Sequence, residues 1–345
     1  MKHFYKNLLA AAMLIIGLDA FAYSFENGAL YYNILSTQDM TCEVTQKATG
    51  SYVGEIVIPE TVVNDGKTYK VTAVGYRAFK GSGVKSVKIG DNVETIGSVA
   101  FYYCREMETV QLGKNLRVLG SQAFYNCNVL TSVEMGDSVT EIKDNAFYDC
   151  RELSELKIGK NVKTIGVAAF GNCSNLTSVV IPDSVTEIKD NVFYYCSKLT
   201  SVTIGKSVKN ICPISFYMCE ALTDIEMLNP EVPALAANAF IEKTYKKATL
   251  TVPVGSLNAY KQAENWKNFA SIWESGVETA VSDGVRVFAA GKTITVSGAK
   301  PGTPVEIYNI TGQLEQRGFG CEFEAAHAGI YIVRAAGRTF KVAVM

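Results

Sequence analysis

Apolar and polar residues recur through the middle of the chain in blocks of 23 residues. Five blocks align without gaps, at 93–115, 116–138, 139–161, 162–184 and 185–207. Most of them read V-x-x-I, then A-F-x-x-C, then V-x-I followed by Gly or Pro. A shorter copy precedes them from Val71, and a degenerate copy ends at Met227. A fixed period of this length predicts a solenoid, in which each coil packs only against its neighbours.

Three apolar columns in the aligned blocks predict the core. Within Leu176 to Ile181, inward positions 176, 179 and 181 flank outward positions 178 and 180, as in a short strand with one buried face. We expect such strands to pair in parallel at about 4.8 Å and to form a sheet on one face. A second column should lie on the opposite wall, with phenylalanines in the corner between the two. The second column is Ile96, Leu119, Ile142, Ile165, Ile188 and Ile211, and the phenylalanines are Phe79, Phe101, Phe124, Phe147, Phe170, Phe193, Phe216 and Phe240.

A polar column follows each strand by three residues. We expect its side chains to bond the turn backbone of the next coil, which would make the column structural. Its members are Asn92, Asn115, Ser138, Asn161, Ser184 and Ser207.

These motifs carry a family resemblance. L-x-x-V-x-I followed by Asn or Ser resembles a leucine-rich repeat, and A-F-x-x-C-x-x-L-x-x-V-x-I resembles the BspA-like subclass of bacterial surface proteins. The resemblance covers about Val71 to Met227. It implies a leucine-rich repeat solenoid with a parallel sheet on one face. Because some BspA-like proteins bind extracellular matrix proteins, it also implies a binding role at the cell surface.

The first 22 residues have the three parts of a secretory signal peptide. Lys2 and Lys6 precede an apolar run from Leu8 to Leu18, and Ala20-Phe21-Ala22 offers a cleavage site before Tyr23. The run is shorter than the roughly twenty residues that a membrane-spanning helix needs. No Cys follows the predicted cut directly, which disfavours a lipid anchor there. We expect an exported protein, at the cell surface of an outer membrane or extracellular.

Charge and histidine content exclude several functions. The 33 basic and 34 acidic residues nearly cancel, which argues against nucleic acid or an anionic membrane as a partner. His327 is the only histidine after the predicted cleavage site, so a Ser or Cys nucleophile has no base nearby. Phosphate-binding glycine motifs and zinc spacings are also missing from the sequence. We therefore expect no catalytic residues, no metal and no cofactor.

A cysteine column admits three interpretations. Stacked disulfides fit the Cα spacing, but parallel Cβ directions oppose the required torsion, although export makes oxidation possible. A metal needs ligands that converge on a point, whereas one thiol per coil forms a line. Small buried apolar side chains are the favoured interpretation. The column is Cys104, Cys127, Cys150, Cys173, Cys196 and Cys219, whereas Cys42, Cys212 and Cys321 have no evident partner in the sequence.

Two outward surfaces are candidates for ligand binding. One, the sheet face, has mixed charge that suits a protein partner, the alternative being a solvated face without a ligand. It carries Lys88, Gln111, Glu134, Lys157, Val180, Thr203 and Glu226. The other, the tyrosine ridge, could hold a glycan or a protein, or its rings could simply stack between coils and shield the core. It consists of Tyr102, Tyr125, Tyr148, Tyr194 and Tyr217, interrupted at Gly171.

The segments around the repeats complete the domain organisation. After the signal peptide at 1–22, alternation in 23–70 predicts an N-terminal β cap, and the repeats occupy 71–229. Residues 230–274 leave the period and predict a C-terminal cap, with a short helix capped by Ser256. Residues 275–283 are small and polar and predict a linker.

Residues 284–345 predict a small antiparallel β sandwich. Val305 to Gly312, Ala328 to Val333 and Phe340 to Val342 resemble the C-terminal sorting domain of the type IX secretion system. The resemblance implies export across an outer membrane, with removal of the domain as the protein is anchored to surface polysaccharide. Met345 stands where that family often keeps a basic residue, so cleavage is left open.

Two functional hypotheses remain. The first is a non-catalytic, adhesin-like protein that recognises a host or extracellular protein or glycan through the repeat surface. The second is a passive structural component of the cell envelope. The resemblance to BspA-like proteins favours the first, and the sequence names no ligand.

Overall fold

The computed structural model describes residues 23–274, 286–290, 292–299, 302–336 and 338–344. Residues 23–274 form a solenoid with parallel strands on two walls, and a separate all-β unit follows near the C-terminus. The predicted fold class is therefore confirmed. The predicted signal peptide and linker lie outside the described residues.

The sheet face contains two five-stranded sheets, all of parallel strands. Its strands alternate buried and exposed residues as predicted, so that Val179 and Ile181 are buried while Val180 is exposed. In order, the strands are Val53–Ile58, Gly83–Ile89, Thr109–Gln111, Ser132–Glu134 and Glu155–Lys157 in one sheet, and Ser178–Ile181, Ser201–Ile204, Asp224–Met227, Thr249–Val252 and Ser271–Glu274 in the other.

The opposite wall is a second parallel ladder, in two sheets that separate between Thr164–Ile165 and Glu187–Ile188, and the sequence pattern does not predict it. Each of its strands is two residues long and ends in a buried apolar residue, usually the predicted isoleucine. The strands are Thr95–Ile96, Val118–Leu119, Glu141–Ile142, Thr164–Ile165, Glu187–Ile188, Asn210–Ile211 and Ala234–Leu235.

Both ends of the stack are covered. At the N-terminal end a mixed arrangement, antiparallel except between Thr41–Thr45 and Lys67–Val74, leads into the second ladder. Phe25 stacks on Tyr32 at 5.1 Å. Its strands are Phe25–Asn27, Leu30–Ser36, Thr41–Thr45, Thr61–Asn64 and Lys67–Val74. At the C-terminal end the sheet face continues through Thr249–Val252 and Ser271–Glu274, joined by helices Glu242–Lys247, Leu257–Gln262 and the 3₁₀ turn Trp266–Asn268.

Ser256 does precede the predicted short helix, but its hydroxyl does not cap it. The Ser256 Oγ donates to the Pro253 carbonyl at 2.5 Å instead. Tyr260 and Trp266 attach the helix to the stack, because they donate to the carbonyls of Asn229 and Pro233 at 2.8 and 2.7 Å.

One continuous core runs from Phe25 to Ile272. The phenylalanine rings of successive coils are stacked from Phe79 to Phe240, with centroids 4.8 to 5.6 Å apart and planes within 11°. Truncating one ring would leave a gap that the neighbouring rings cannot fill. The predicted common interior is confirmed.

A third ladder, made of turns, carries the phenylalanines. The N–H groups of Val99, Phe101 and Tyr103 donate to the carbonyls of Ser121, Ala123 and Tyr125 in the next coil. Each such turn has two residues in the left-handed region, which asparagine and aspartate tolerate best. These residues include Gln122, Asn126, Asn145, Asp149, Asn172 and Asn191.

The C-terminal unit has its own core of apolar residues, among them Ile294, Ile307, Val333 and Phe340. It consists of two antiparallel sheets, as predicted. One contains Arg286–Ala290, Thr293–Ser297 and Glu322–Glu324, and the other contains Leu314–Gly318, Val305–Asn309, Gly329–Ala335 and Arg338–Val344.

Candidate functional site

Within each of the two sheets, the parallel register places predicted sheet-face residues side by side on neighbouring strands. Lys88 lies opposite Gln111, and Thr203 lies opposite Glu226. The charges are partly used within the surface, because Lys157 Nζ lies 2.5 Å from Glu134 Oε1. Thr203 Oγ1 likewise donates to Glu226 Oε2 at 3.0 Å. A partner would therefore meet a row of paired polar groups more than free charges.

The sheet-face row extends further than the repeats. Val57 continues it beyond Lys88, and Trp273 continues it beyond Glu226 through Thr251. The exposed fractions of Val57, Val180 and Trp273 are 63%, 61% and 42%. Sequence reasoning missed Val57 and Trp273 because their strands fall outside the 23-residue period.

Two polar grooves follow the repeats. One of about 400 Å³ crosses the sheet face where its two sheets meet, between Glu155–Lys157 and Ser178–Ile181. The other, of about 720 Å³, follows the polar column past Asn92, Asn115 and Asn161.

The polar column is structural as predicted, but it bonds in the opposite direction. Asn161 Nδ2 donates to the Asp137 carbonyl at 2.9 Å, and Ser184 Oγ donates to the Lys160 carbonyl at 2.8 Å. Both acceptors belong to the preceding coil, and not to the next coil as predicted. The side chain at the end of each strand points toward the turn of the preceding coil, whose carbonyl oxygen it reaches.

The tyrosine ridge is a half-buried stack. The ring centroids of Tyr102 and Tyr125 are 4.9 Å apart, and those of Tyr125 and Tyr148 are 5.2 Å apart. Tyr148 then lies across Gly171, where an added Cβ would come within 2.8 Å of its ring. Tyr194 and Tyr217 resume the ridge with centroids 6.5 Å apart. The faces of the first three rings are thus largely occupied by one another, and burial raises the pKa of Tyr125.

A buried carboxylate organises the turns beside the ridge. Asp149 accepts hydrogen bonds from the side-chain amides of Asn126 and Asn172, and its Oδ1 lies 2.8 Å from Arg151 Nε. The hydrogen bond to Asp149 raises the pKa of Arg151. This cluster was not predicted, although Asn or Asp directly precedes the column cysteine in three successive blocks.

The cysteine column is buried, as the favoured interpretation predicts. Each thiol also donates to the backbone carbonyl of the phenylalanine in the preceding coil, at 3.2 Å for Cys150 and Phe124. The same contact recurs from Cys104 to Cys219. Burial raises the pKa of Cys127 and Cys150, so these groups remain thiols. Cysteine suits the position because it is small, apolar and still a donor.

The turns after the sheet-face strands alternate in charge from one coil to the next. Lys114 pairs with Asp91, Lys160 with Asp137 and Lys206 with Asp183, with N–O distances of 2.8, 2.7 and 3.1 Å. In each pair the aspartate also accepts the backbone N–H of the lysine. These contacts join coils in twos, a pattern that alignment on apolar residues alone conceals.

Strand pairing follows the same two-coil pattern. Three residue pairs join Gly83–Ile89 to Thr109–Gln111, and three join Ser132–Glu134 to Glu155–Lys157. A single pair, Ser132 with Thr109, joins the intervening junction. In this sheet the contact within a coil pair is therefore tight, and between coil pairs it is looser. In the other sheet, Ser201–Ile204 pairs over four residues with both of its neighbours.

Among the described residues, no group of three or more His, Cys, Asp or Glu side chains is placed to hold a metal ion. Across the same part of the chain, no helix combines the length and apolar character that spanning a membrane requires.

Comparison with solved structures places the fold among leucine-rich repeat proteins. A leucine-rich repeat protein of T. pallidum shares 25% identity with a TM-score of 0.50, over 57% of this chain and 91% of that one. A leucine-rich repeat protein of Bacteroides ovatus shares 19% identity with a TM-score of 0.47, over 73% and 76%. A leucine rich cell surface protein of Faecalibacterium prausnitzii shares 22% identity with a TM-score of 0.36, over 73% and 95%. No curated protein matches significantly.

A family model supplies the assignment. The model for the BspA type leucine rich repeat region matches residues 72–200 and 140–267, with six copies. Together these ranges span more than half of the chain and include the phenylalanine, cysteine and strand columns described above. The chain belongs to the BspA-type leucine-rich repeat family.

Proposed function

We propose that the protein is a non-catalytic, adhesin-like binding protein that is exported and recognises a protein or glycan through its repeat surface. The observation that carries the proposal is the sheet-face row. In it the parallel register aligns Lys88 with Gln111, Glu134 with Lys157, and Val180 with Thr203 and Glu226. Extended surfaces of this kind are the means by which solenoid proteins contact their partners.

Exposed apolar side chains support a binding role. Val57, Val180 and Trp273 lie in the outward row, where their apolar side chains are exposed to solvent. Large apolar and aromatic side chains at the centre of an interface often contribute most of the binding energy. The tyrosine ridge, with Tyr102, Tyr125, Tyr148, Tyr194 and Tyr217, is the second candidate surface.

Export and anchoring belong to the same proposal. In it, residues 1–22 direct secretion, residues 23–274 form the capped repeat domain, and residues 284–345 act as a type IX sorting domain. The separate core of the C-terminal unit supports an independent role for it.

A passive envelope component is the second candidate. The Glu134–Lys157 pair favours it, because a surface that neutralises its own charges needs no partner.

The experiment compares two triple variants of the full chain on arrays of extracellular proteins and glycans. One changes Lys88, Glu134 and Lys157 to Ala, and the control changes Lys163, Lys209 and Glu231, which have the same charges on other walls. A binding protein should lose its partner by about tenfold or more in the first variant only, with an unchanged melting temperature. Absence of any partner for the unmodified chain would instead favour the passive component.

A further inference from the structure

Three cations at the N-terminal end of the tyrosine ridge lie over tyrosine rings. The Arg77 guanidinium is 4.8 Å from the Tyr76 centroid, and the Lys80 ammonium is 5.7 Å from that of Tyr102. The Arg105 guanidinium is 4.8 Å from the centroid of Tyr103. Cation–π contacts fix long side chains that would otherwise be mobile. We call these six residues the cation–tyrosine patch.

The cations of the patch have no carboxylate partner within the described residues, unlike many cations of the repeats. Lys114, Lys160 and Lys206 each contact an aspartate, and Arg151 contacts Asp149. Lys80 and Arg105 are exposed, so an incoming carboxylate can reach them and gains contacts that the protein itself does not supply.

Backbone hydrogen bonds between two adjacent turns hold the patch residues in place. The N–H groups of Arg77, Phe79 and Gly81 donate to the carbonyls of Ser98, Ala100 and Tyr102 at 3.3, 2.7 and 2.7 Å. These bonds bring the turn that carries Arg77 and Lys80 directly beside the turn that carries Tyr102 and Arg105. Two adjacent coils therefore carry the three cations.

The geometry points to an acidic segment of a protein partner as the occupant of this patch. This inference rests on the proposed binding function and names the chemistry of the partner. A guanidinium presents a planar pair of donors that matches a carboxylate. Two of the three cations are arginines, and the exposed Tyr76 ring offers an apolar contact beside them.

The covered ring faces argue against a neutral glycan at this patch. Sugars bind tyrosine through open ring faces, but Tyr102 lies 4.9 Å from Tyr125 on one side and beneath Lys80 on the other. Tyr103 lies between Tyr102 at 4.5 Å and Arg105. At Tyr102 and Tyr103, what remains accessible is mainly ring edges and positive charges.

The charges further along the ridge argue against a long polyanion. The exposed Asp144 follows within two coils. A polyanionic chain laid along the ridge would meet this carboxylate, and like charges at close range are unfavourable. A short acidic segment of a folded or extended protein avoids it.

The test uses a fluorescein-labelled hexaglutamate peptide, with dextran sulfate and neutral dextran as competitors, and the full chain. The patch variant changes Arg77, Lys80 and Arg105 to Gln. The control changes Lys163, Lys189 and Lys209 to Gln, which alters the net charge equally. Binding is measured by fluorescence polarisation at low and higher salt. Melting temperatures confirm folding, and Lys80→Gln alone, at an exposed side chain, provides a milder version.

We expect the unmodified protein and the control to bind hexaglutamate, and the patch variant to lose about tenfold or more in affinity. Higher salt should weaken hexaglutamate binding by both the unmodified protein and the control variant. Equal losses in patch and control variants would overturn the proposal, since they would indicate general charge attraction. Dextran sulfate that binds the patch more tightly than the peptide would also overturn it, in favour of an anionic glycan.

The two proposals fail in different ways. If an arrayed partner is retained by the patch variant but lost by the sheet-face variant, the binding function stands and the patch assignment is wrong. If hexaglutamate binds through the patch but no arrayed protein or glycan is recognised, the patch stands and the proposed function is wrong.

Discussion

The interior of the solenoid repeats with every coil, whereas part of its exterior repeats with every second coil. Inside, Phe124 stacks on Phe147 at 5.0 Å and Phe147 stacks on Phe170 at 5.5 Å, with similar geometry at each junction. Outside, Asp137 pairs with Lys160, and the next ion pair in the column is between Asp183 and Lys206. The buried and exposed walls therefore follow different rules of repetition.

The glycines after the sheet-face strands show the difference in spacing. A Cβ at Gly159 would lie 2.3 Å from the Gly136 carbonyl oxygen, within a coil pair. A Cβ at Gly136 would have its nearest neighbour, the Lys114 carbonyl oxygen, at 3.9 Å, between coil pairs. Pro182 occupies the next position of this second kind. Identical apolar groups attract one another at every junction, so the core repeats with each coil. Ion pairs require opposite charges, so the column of turns alternates between Asp and Lys. Close backbone contact accompanies each ion pair.

Loss of one core ring should have the largest effect and should not depend on which junction is chosen. Phe147→Ala should lower the free energy of unfolding by about 3 to 5 kcal/mol, because the neighbouring rings cannot close the cavity. Phe170→Ala, one coil further, should cost about the same. Urea unfolding followed by circular dichroism measures both. A clear difference between the two variants would extend the two-coil period into the core.

Alanine should destabilise the protein at one of the two glycines and not at the other. Gly159→Ala should cost about 1 to 3 kcal/mol, because the added methyl group overlaps backbone that must shift. Gly136→Ala is the matched control, and it should be neutral or stabilising by about 0.4 to 1 kcal/mol, since alanine restricts the unfolded chain. Equal destabilisation in urea by both substitutions would contradict the alternation of tight and loose junctions.

Removal of one ion pair should have the smallest effect, and it should depend on pH. The backbone N–H of Lys206, together with its ammonium group, lowers the pKa of Asp183. Because the folded pKa is the lower one, the stabilisation is present above the ordinary aspartate pKa near about 4 and is lost as the pH falls through the folded value. The exposed pair should contribute at most about 1 kcal/mol.

The measurement compares Asp183→Asn with the unmodified chain in urea at neutral and at acid pH. The difference in stability should shrink as the solution is acidified, and Glu231→Gln, at an exposed position, serves as the control. A difference that stays constant with pH would show that the Asp183 charge does not matter.

The fold could be predicted from the sequence because the apolar residues of its core recur at a fixed period. The phenylalanine column and residues such as Val179 and Ile181 alone establish the coil and its buried face. The short strands, of which Glu141–Ile142 is typical, are too brief to show alternation. Leu314–Gly318 was missed for a related reason, since it is a largely exposed, polar strand at the edge of its sheet.

The surfaces could be predicted only in part. The outward directions of Lys88 and Glu134 follow from strand alternation, but the pairing of Glu134 with Lys157 depends on register between coils. The left-handed turn positions of Asn126 and Asp149 depend on backbone angles that polarity does not reveal. The patch around Arg77 was overlooked because the placement of its cations over tyrosine rings depends on side-chain contacts that the sequence does not show. Its ligand, like that of the sheet face, stays a prediction.

The alternating Asp and Lys turns restrict how such a protein can change in length. Duplication or deletion of a single coil would bring two aspartates or two lysines face to face, whereas a change of two coils preserves every complementary contact. Natural variation and engineered shortening should therefore proceed by coil pairs. An array with an odd number of inserted coils should carry one pair of like charges at the point of insertion.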